Sequence, residues 1–277
     1  VPRYESLRFD DVAVGPGGCG SNTAIGLAAL GVPTALVGRI GSDPAAEMIK
    51  AYWDRFHLDY RYVRQENDIS TAVSVGLVDR NAQPRFVHTP GANSRVTVDD
   101  LDLPRYVEEG AQALHVAGFF VLPGMMDERL AGALARARQL GLYTSLDVVR
   151  NPRIDEPSLL WKCMPHLNLF LCNAHEGWRL TKEDEPANAA ARLRANGAET
   201  VVVKLGAEGC WLESEQTRAH FPGEKVEVVD TTGAGDAFAA GMLAALLGGE
   251  TLENACQAGN AAGARIVAHL GTIAGWE

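Results

Sequence analysis

Three short segments of this chain are apolar almost without interruption, Ala113–Val116, Leu169–Cys172 and Thr200–Lys204, and Tyr143–Asp147 reads as a further strand among them. A strand with one face in water alternates polar and apolar residues, so segments like these are expected to be covered on both faces. Helix-patterned stretches separate or follow them, at 127–140, 158–164, 174–181 and 186–196. Parallel strands need a crossover of helix length between them, and these intervals supply it. The chain is therefore predicted to be α/β, with a mostly parallel central sheet between two layers of helices.

The flanks extend that pattern. Val12–Val14 reads as a short strand feeding the Gly-rich turn GPGGCGSN (15–22). Thr23–Leu30 carries apolar residues at helical spacing, with Gly31 as its stop, and Thr34–Ile40 reads as a buried strand. Asp43 and Pro44 predict an N-cap and a first helical residue for a helix to about Phe56. Gly209–Glu213 and Lys225–Val229 read as β segments, and helices over 234–247 and 251–268 close the chain. Residues 71–89 differ in character. Two strands of mixed polarity joined by the turn Arg80–Gln83 predict a hairpin that packs on one face only. With residues 7–14 it would form a small separate sheet.

A length of 277 residues suits one large α/β domain. The net charge of −10 disfavours nucleic acid or an anionic membrane as a partner. The five cysteines, Cys19, Cys163, Cys172, Cys210 and Cys256, form no CxxC pair and are odd in number. They read as thiols of a reducing compartment rather than a disulfide frame. His115, His166, His175 and His269 are scattered without metal-ligand spacing. No signal peptide or bilayer-length apolar run is visible, so a cytoplasmic protein is the expectation.

The chemistry concentrates in residues 228–241, VVDTTGAGDAFAAG. Gly233 and Gly235 permit backbone angles that L-residues avoid, so successive N–H groups can turn into one concavity at a helix start. Unpaired N–H groups and the helix dipole make such a place attractive to anions. Asp236 stands at its lip and is expected to keep a low pKa. An anion hole beside a carboxylate is what phosphoryl transfer to an alcohol requires: charge stabilisation for the moving group and a base for the attacking hydroxyl.

The full pattern Asp-Thr-Thr-Gly-Ala-Gly-Asp-Ala-Phe-x-x-Gly (230–241) resembles the second signature of the ribokinase-like, or PfkB-type, carbohydrate kinases. Other stretches fit in the same order. Gly17-Gly18-Cys19-Gly20-Ser21-Asn22 is similar to the first signature, and Gly41 with Asp43 to the Gly-x-Asp after it. Gly91-Ala92-Asn93 is similar to the segment after the lid hairpin, and Asn173-Ala174-His175-Glu176 to the Asn-x-x-Glu motif. Lys204-Leu205-Gly206-Ala207-Glu208-Gly209 resembles the nucleotide-binding turn. The resemblance covers nearly the whole chain and implies one kinase domain over 1–277, a ribokinase-like three-layer sandwich with lid strands at about 7–14 and 71–89.

What the resemblance implies for the site is specific. Asp236 would be the general base, and the backbone of Gly233, Ala234 and Gly235 the anion hole. Gly17, Gly18, Asn22, Asn93 and Asp147 would hold the acceptor. Asn173, Glu176, Lys204, Gly206, Gly209 and Asn260 would hold ATP, with Glu176 reaching Mg²⁺ through water. Asp230 and Thr232 would sit where some members bind K⁺. The acceptor would be a small sugar, and the lid face would pair two copies into a homodimer. The sequence also departs from the pattern. The family's opening strand, with its sugar-binding Asp, has no counterpart here, which implies an earlier segment. Lys204 replaces a frequent Thr, Ala46 replaces a frequent Gly, and Asp147-Val148-Val149-Arg150 matches only part of a sugar-acid kinase motif.

Rival readings stand beside these. Gly15–Gly20 is a formal GxGxxG with Asp43 about twenty residues on, the pattern of a dinucleotide site. Glu176 alone reads as a solvated helix residue. Asp147 suits a substrate contact or a helix cap, and Lys204 a phosphate contact or a surface role. Arg39 and Arg150 read as exposed arginines or anion ligands, and Trp178 and Trp211 as packing residues. Phe119 and Phe120 could form the aromatic shelf of a nucleoside kinase of the same fold. A non-catalytic nucleotide or sugar sensor is the remaining alternative.

Overall fold

The computed structural model describes residues 14–78, 84–149, 151, 154 and 156–277. The chain runs α1 (Cys19–Ala29), β1 (Ala35–Gly41), α2 (Pro44–Arg55), β2 (Asp59–Glu66), β3 (Val73–Val78) and β4 (Pro84–Thr89). It continues through α3 (Leu103–Glu108), β5 (Ala113–Val116), α4 (Arg129–Gln139), β6 (Tyr143–Asp147), α5 (Ser158–Cys163) and β7 (Leu169–Asn173). Then come α6 (Ala174–Thr181), α7 (Pro186–Arg194), β8 (Thr200–Lys204), β9 (Cys210–Glu213), β10 (Arg218–Phe221), α8 (Ala234–Leu247) and α9 (Leu252–Val267).

The central sheet has six strands in the order β10-β9-β8-β7-β6-β5. β5 to β8 are parallel, and β9 and β10 are antiparallel to their neighbours. Both faces are covered, as the unbroken apolar segments require. Leu169, Leu171 and Val202 pack against Phe238, Met242 and Leu243 of α8 and Ala255 of α9. The alternate residues Phe170, Cys172, Val201 and Val203 pack against Leu130 and Leu134 of α4, Leu160 of α5 and Leu193 of α7.

Register then decides what sits above these apolar rows. Asp147 pairs with Leu171, and Asn173 with Lys204. Cross-strand partners share a face, and so do residues two apart on one strand. Asp147, Asn173 and Lys204 are therefore the last residues of β6, β7 and β8 on the face that carries α1, α8 and α9. The carboxyl ends of parallel strands are the usual ligand edge of an open α/β sheet.

Several expectations change. Helix α1 starts at Cys19, four residues before the expected Thr23, because Gly18 takes φ +87° as its N-cap and Asn22 N–H already bonds the Gly18 carbonyl. Lys225–Val229 is not a strand; β10 takes the sheet edge, and the chain leaves at Pro222, which has no N–H to continue a ladder. β2 was not foreseen. It pairs in parallel with β1, and β1 is buried only at its end. β3 and β4 form the expected antiparallel hairpin, with Val73 opposite Thr89 and Val75 opposite Val87. Its turn, the strand segment at 7–13 and Arg150 lie outside the described residues.

Candidate active site

Two helices begin at the same place. Asn22 on α1 donates from Nδ2 to Oδ2 of Asp236 on α8, at 2.7 Å. One turn further on, a Cβ added to Gly26 would stand 2.7 Å from the Ala240 Cβ. Both contacts have the same offset, so α1 and α8 run parallel and in close contact, with their N-termini together. Gly233 caps α8 with φ +83°, and a Cβ there would meet the Thr272 carbonyl at 2.8 Å. Only glycine fits that turn. The Ala234 N–H bonds the Thr231 carbonyl at 3.3 Å.

Asp236 is the third residue of α8 and is half-buried. Burial first, and then the Asp147 carboxylate, push its pKa up to about 7. The Asn22 hydrogen bond, the Lys204 ammonium and the Cys19 thiol pull the other way. The expected low pKa is thus overturned. A helix N-terminus favours the anion by about a kcal/mol, whereas loss of solvent costs several.

The sheet edge supplies the rest of the cluster. Asp147, 3% exposed, accepts the Gly118 N–H at 2.5 Å. Gly118 has φ +68°, and a Cβ there would stand 3.2 Å from Cys19 Sγ. Lys204 reaches across to α8, where a Cβ on Gly235 would stand 3.2 Å from its Nζ. Burial lowers the Lys204 pKa, but Asp147, Glu176 and Asp236 more than offset it, and the ammonium ends above its ordinary value. Lys204 is half-buried and faces this cluster.

Asn173 and Glu176 form a reciprocal capping box at the start of α6. Asn173 Oδ1 accepts the Glu176 N–H at 2.9 Å, and Glu176 Oε2 accepts the Asn173 N–H at 2.8 Å. Glu176 is 2% exposed, so the solvated-helix reading is excluded. A buried carboxylate facing Lys204 is a candidate ligand-binding group.

Other expected positions are held differently. Asn260 donates to the carbonyls of Phe221 and Pro222, both at 3.1 Å, which ties α9 to the chain after β10. Gly206 and Gly209 have φ +64° and +93°, and a Cβ on Gly209 would collide with the Phe221 carbonyl. Asp230 accepts Thr232 N–H and Oγ1–H through Oδ1, and Gly271 N–H through Oδ2. Gly17 and Gly18 have open space where a side chain would stand. Asn93 lies in a 3₁₀ turn, 91–95, seated through Ala92 N–H on the Ser70 carbonyl.

Some rival readings fall on the same geometry. Asp43 accepts from Ala46 N–H, Thr71 N–H and Thr71 Oγ1–H, so both of its oxygens are engaged within the chain. Those bonds, Thr71 Oγ1–H above all, lower its pKa. An engaged carboxylate does not suit the ribose contact of a dinucleotide site. Arg39 is bound bidentately by Asp100 and also by Glu66, so it is neither an exposed side chain nor an anion ligand. Phe119 and Phe120 are buried in the main core and pack edge to face. Trp211 packs against that core. Trp178, expected to be a packing residue, is instead exposed, with Lys182 over its ring.

Cys19 and Gly118 were not legible beforehand as neighbours of this cluster, and the bond from Asn22 to Asp236 was not foreseen. Cys19 read as one more buried thiol, yet it lies beside Asp236, with its own pKa raised by burial and the two nearby carboxylates. Asn22 was expected to face the acceptor, whereas one arm holds Asp236 and Oδ1 is buried without a partner. Gly118 joins Asp147 to Cys19. A cavity of about 340 Å³, lined by Tyr143, Asn168, Arg194 and Glu199, lies at the opposite ends of the strands and is remote from this chemistry.

Comparison with known proteins agrees with this picture. The sequence model of the pfkB family carbohydrate kinases matches residues 2–277. The chain is 30% identical over 254 residues to an uncharacterized sugar kinase of Archaeoglobus fulgidus, covering 91% of this chain and 98% of that one. It superposes on the ribokinase of Thermotoga maritima with a TM-score of 0.80 and 25% identity, over 98% and 87% of the two chains. For the aminoimidazole riboside kinase of Salmonella enterica, solved with aminoimidazole riboside and an ATP analog, the TM-score is 0.79 at 26% identity, over 95% and 89%. The fold is ribokinase-like, and the protein belongs to the pfkB family of carbohydrate kinases, enzymes that transfer a phosphoryl group to a hydroxyl.

Proposed function

We propose that the protein transfers the γ-phosphoryl group of ATP to a hydroxyl of a sugar or sugar-like molecule. The observation that carries this is Asp236: a carboxylate pushed up to about 7, held by Asn22 at the start of a helix and next to a lysine. A base whose pKa lies near the working pH is the most efficient proton acceptor. The acceptor hydroxyl gives its proton to Asp236 as its oxygen attacks the γ-phosphorus. The bond to the β-phosphate oxygen breaks, and ADP leaves with that electron pair. The backbone at Gly233–Gly235 and the dipole of α8 stabilise the charge on the moving group.

The acceptor would lie between Asp236 and Asp147, over the open Gly17–Gly18 turn, with Asn93 at its other side. The unpartnered Asn22 Oδ1 suits a second hydroxyl donor. The phosphates would lie along the ends of β7 and β8, by Asn173, Lys204, Gly206 and Gly209, with Asn260 toward the base. No group of three or more His, Cys, Asp or Glu side chains could hold a metal among the described residues. The donors present fit Mg²⁺ carried by the nucleotide and reached by Glu176 through water, an ion that keeps most of its hydration. When bound, it would neutralise phosphate charge. A monovalent cation at Asp230 and Thr232 would share a carboxylate that already clamps Gly271.

The hairpin β3–β4 would close over the acceptor and exclude water. Val73, Val75 and Val87 stand exposed on one face of it, which supports pairing with a second copy. All five cysteines are free, which suits a reducing compartment. No helix among the described residues is long and apolar enough to cross a membrane. A nucleoside acceptor would need an apolar shelf, and the buried Phe119 and Phe120 do not provide it. Acceptor-dependent ADP release with Mg²⁺·ATP across a panel of sugars and ribosides tests the reading. Turnover above the ATP-only rate with one acceptor is expected. Nucleotide binding without turnover on any acceptor would favour a sensor instead.

A further inference from the structure

We infer that Lys204 is itself a catalytic residue, whose ammonium follows the transferring phosphoryl group rather than merely binding ATP. The inference rests on the kinase reading and adds a participant that the helix N-terminus does not supply. Three observations converge. First, Lys204 is the last residue of β8 and shares a sheet face with Asp147 and Asn173, so it points to the α8 side of the sheet edge. Second, its Nζ lies close against Gly235, 3.2 Å from a Cβ built there. The ammonium and the start of α8 therefore bear on one small volume.

Third, charge is out of balance without it. Lys204 is surrounded by Asp147, Glu176 and Asp236, and its field is also felt at Cys19, Cys172 and His115. Asp147, Glu176 and Asp236 all bear on the one ammonium, in a protein whose net charge is −10. A nucleotide polyphosphate entering such a place needs positive charge that can be shared with it. The backbone dipoles of α8 are fixed, but a lysine on a four-carbon stem can swing from carboxylate to phosphate oxygen. As the γ-phosphoryl group leaves the β-phosphate, negative charge shifts within reach of Nζ. A half-buried ammonium there acts at a dielectric below that of water and lowers the barrier. It forms and breaks no covalent bond, and the proton balance stays between the acceptor hydroxyl and Asp236.

The test compares wild type, Lys204→Met and Gly235→Ala. Lys204→Met removes the charge and keeps the stem. Gly235→Ala keeps the charge but puts a methyl 3.2 Å from the ammonium, displacing it by a few tenths of an ångström, so it reports even if the Lys204→Met variant fails to fold. The readouts are steady-state kinetics with the best acceptor and calorimetric titration of a non-hydrolysable ATP analogue. For Lys204→Met, kcat is expected to fall about 10²–10³-fold, as for loss of one transition-state donor, with analogue affinity changed only a few-fold. Gly235→Ala should lower kcat in the same direction. A Lys204→Met enzyme within threefold of wild-type kcat, or a loss confined to KM for ATP, overturns the inference alone. A wild type with no acceptor-dependent turnover overturns the kinase reading and the inference with it.

Discussion

Replacing Asp236 with Asn should make the protein more stable at neutral pH while removing its activity, and the gain should depend on pH in a fixed way. The unfolded chain has an aspartate at its ordinary value of 3.8, whereas in the fold burial and Asp147 raise it to about 7. Between those values the folded state binds a proton that the unfolded state does not. Stability is therefore fully present below the unfolded pKa and is lost as pH rises through the folded one. About three pH units at about 1.4 kcal/mol each make the charged side chain cost about 4 kcal/mol at pH 8, of which about 3 kcal/mol develops above pH 5. Asn at this position carries no charge. Its partner can adapt, because Asn22 Oδ1 is buried and unpaired and can turn to accept from the new amide. Urea unfolding of wild type and Asp236→Asn at pH 5 and pH 8 isolates the effect, since the other titrating groups are common to both. The advantage of the variant should grow by about 3 kcal/mol from pH 5 to pH 8. An equal difference at the two pH values would mean that Asp236 is not held in the surroundings described.

Three further outcomes follow from single contacts. Asn22→Ala removes a 2.7 Å hydrogen bond to the ionised form of Asp236. A bond to a charged group is worth about 1.5–3 kcal/mol, so the acid limb of the kcat/KM profile should move up by about one to two pH units. Gly26→Val would force side-chain atoms into Ala240, where even a Cβ stands at 2.7 Å, and should cost about 1–3 kcal/mol or more in urea unfolding. Arg39→Met leaves the Asp100 carboxylate, 2% exposed at its side chain, without its bidentate partner. Arg64 stands 3.3 Å away and offers partial relief, so a loss of about 3 kcal/mol is expected in urea unfolding, the low end for a broken buried pair.

The sheet was legible because burial on both faces leaves a plain mark. Leu169–Cys172 and Thr200–Lys204 have no polar residue until their ends, and those ends are where the chemistry lies. Helix α8 was legible from Gly233 and the small residues after it. The segment at 225–229 misled because two valine-rich steps have the composition of a strand, while pairing depends on which edge is free, and β10 had already taken it. The start of α1 was placed late because a run of Gly and Ser looks like a loop until Gly18 is seen as a cap. Within the site, Asp236 could be named from local pattern and Glu176 only through the family resemblance. The bond from Asn22 and the approach of Cys19 could not, since each depends on α1 lying parallel to α8 across 214 residues of sequence. The pKa of Asp236 was misjudged for the same reason. A dipole can be read from a helix start, but burial belongs to the whole fold.

The central claim is that Asp236 takes the proton of the attacking hydroxyl at a nucleotide-bound site. The most direct measurement is kcat of Asp236→Asn with an acceptor that wild type turns over, alongside calorimetric affinity for a non-hydrolysable ATP analogue. The account predicts a fall in kcat of about 10²–10⁴-fold with analogue binding retained. An Asp236→Asn enzyme that turns over the same acceptor at close to the wild-type rate would contradict it.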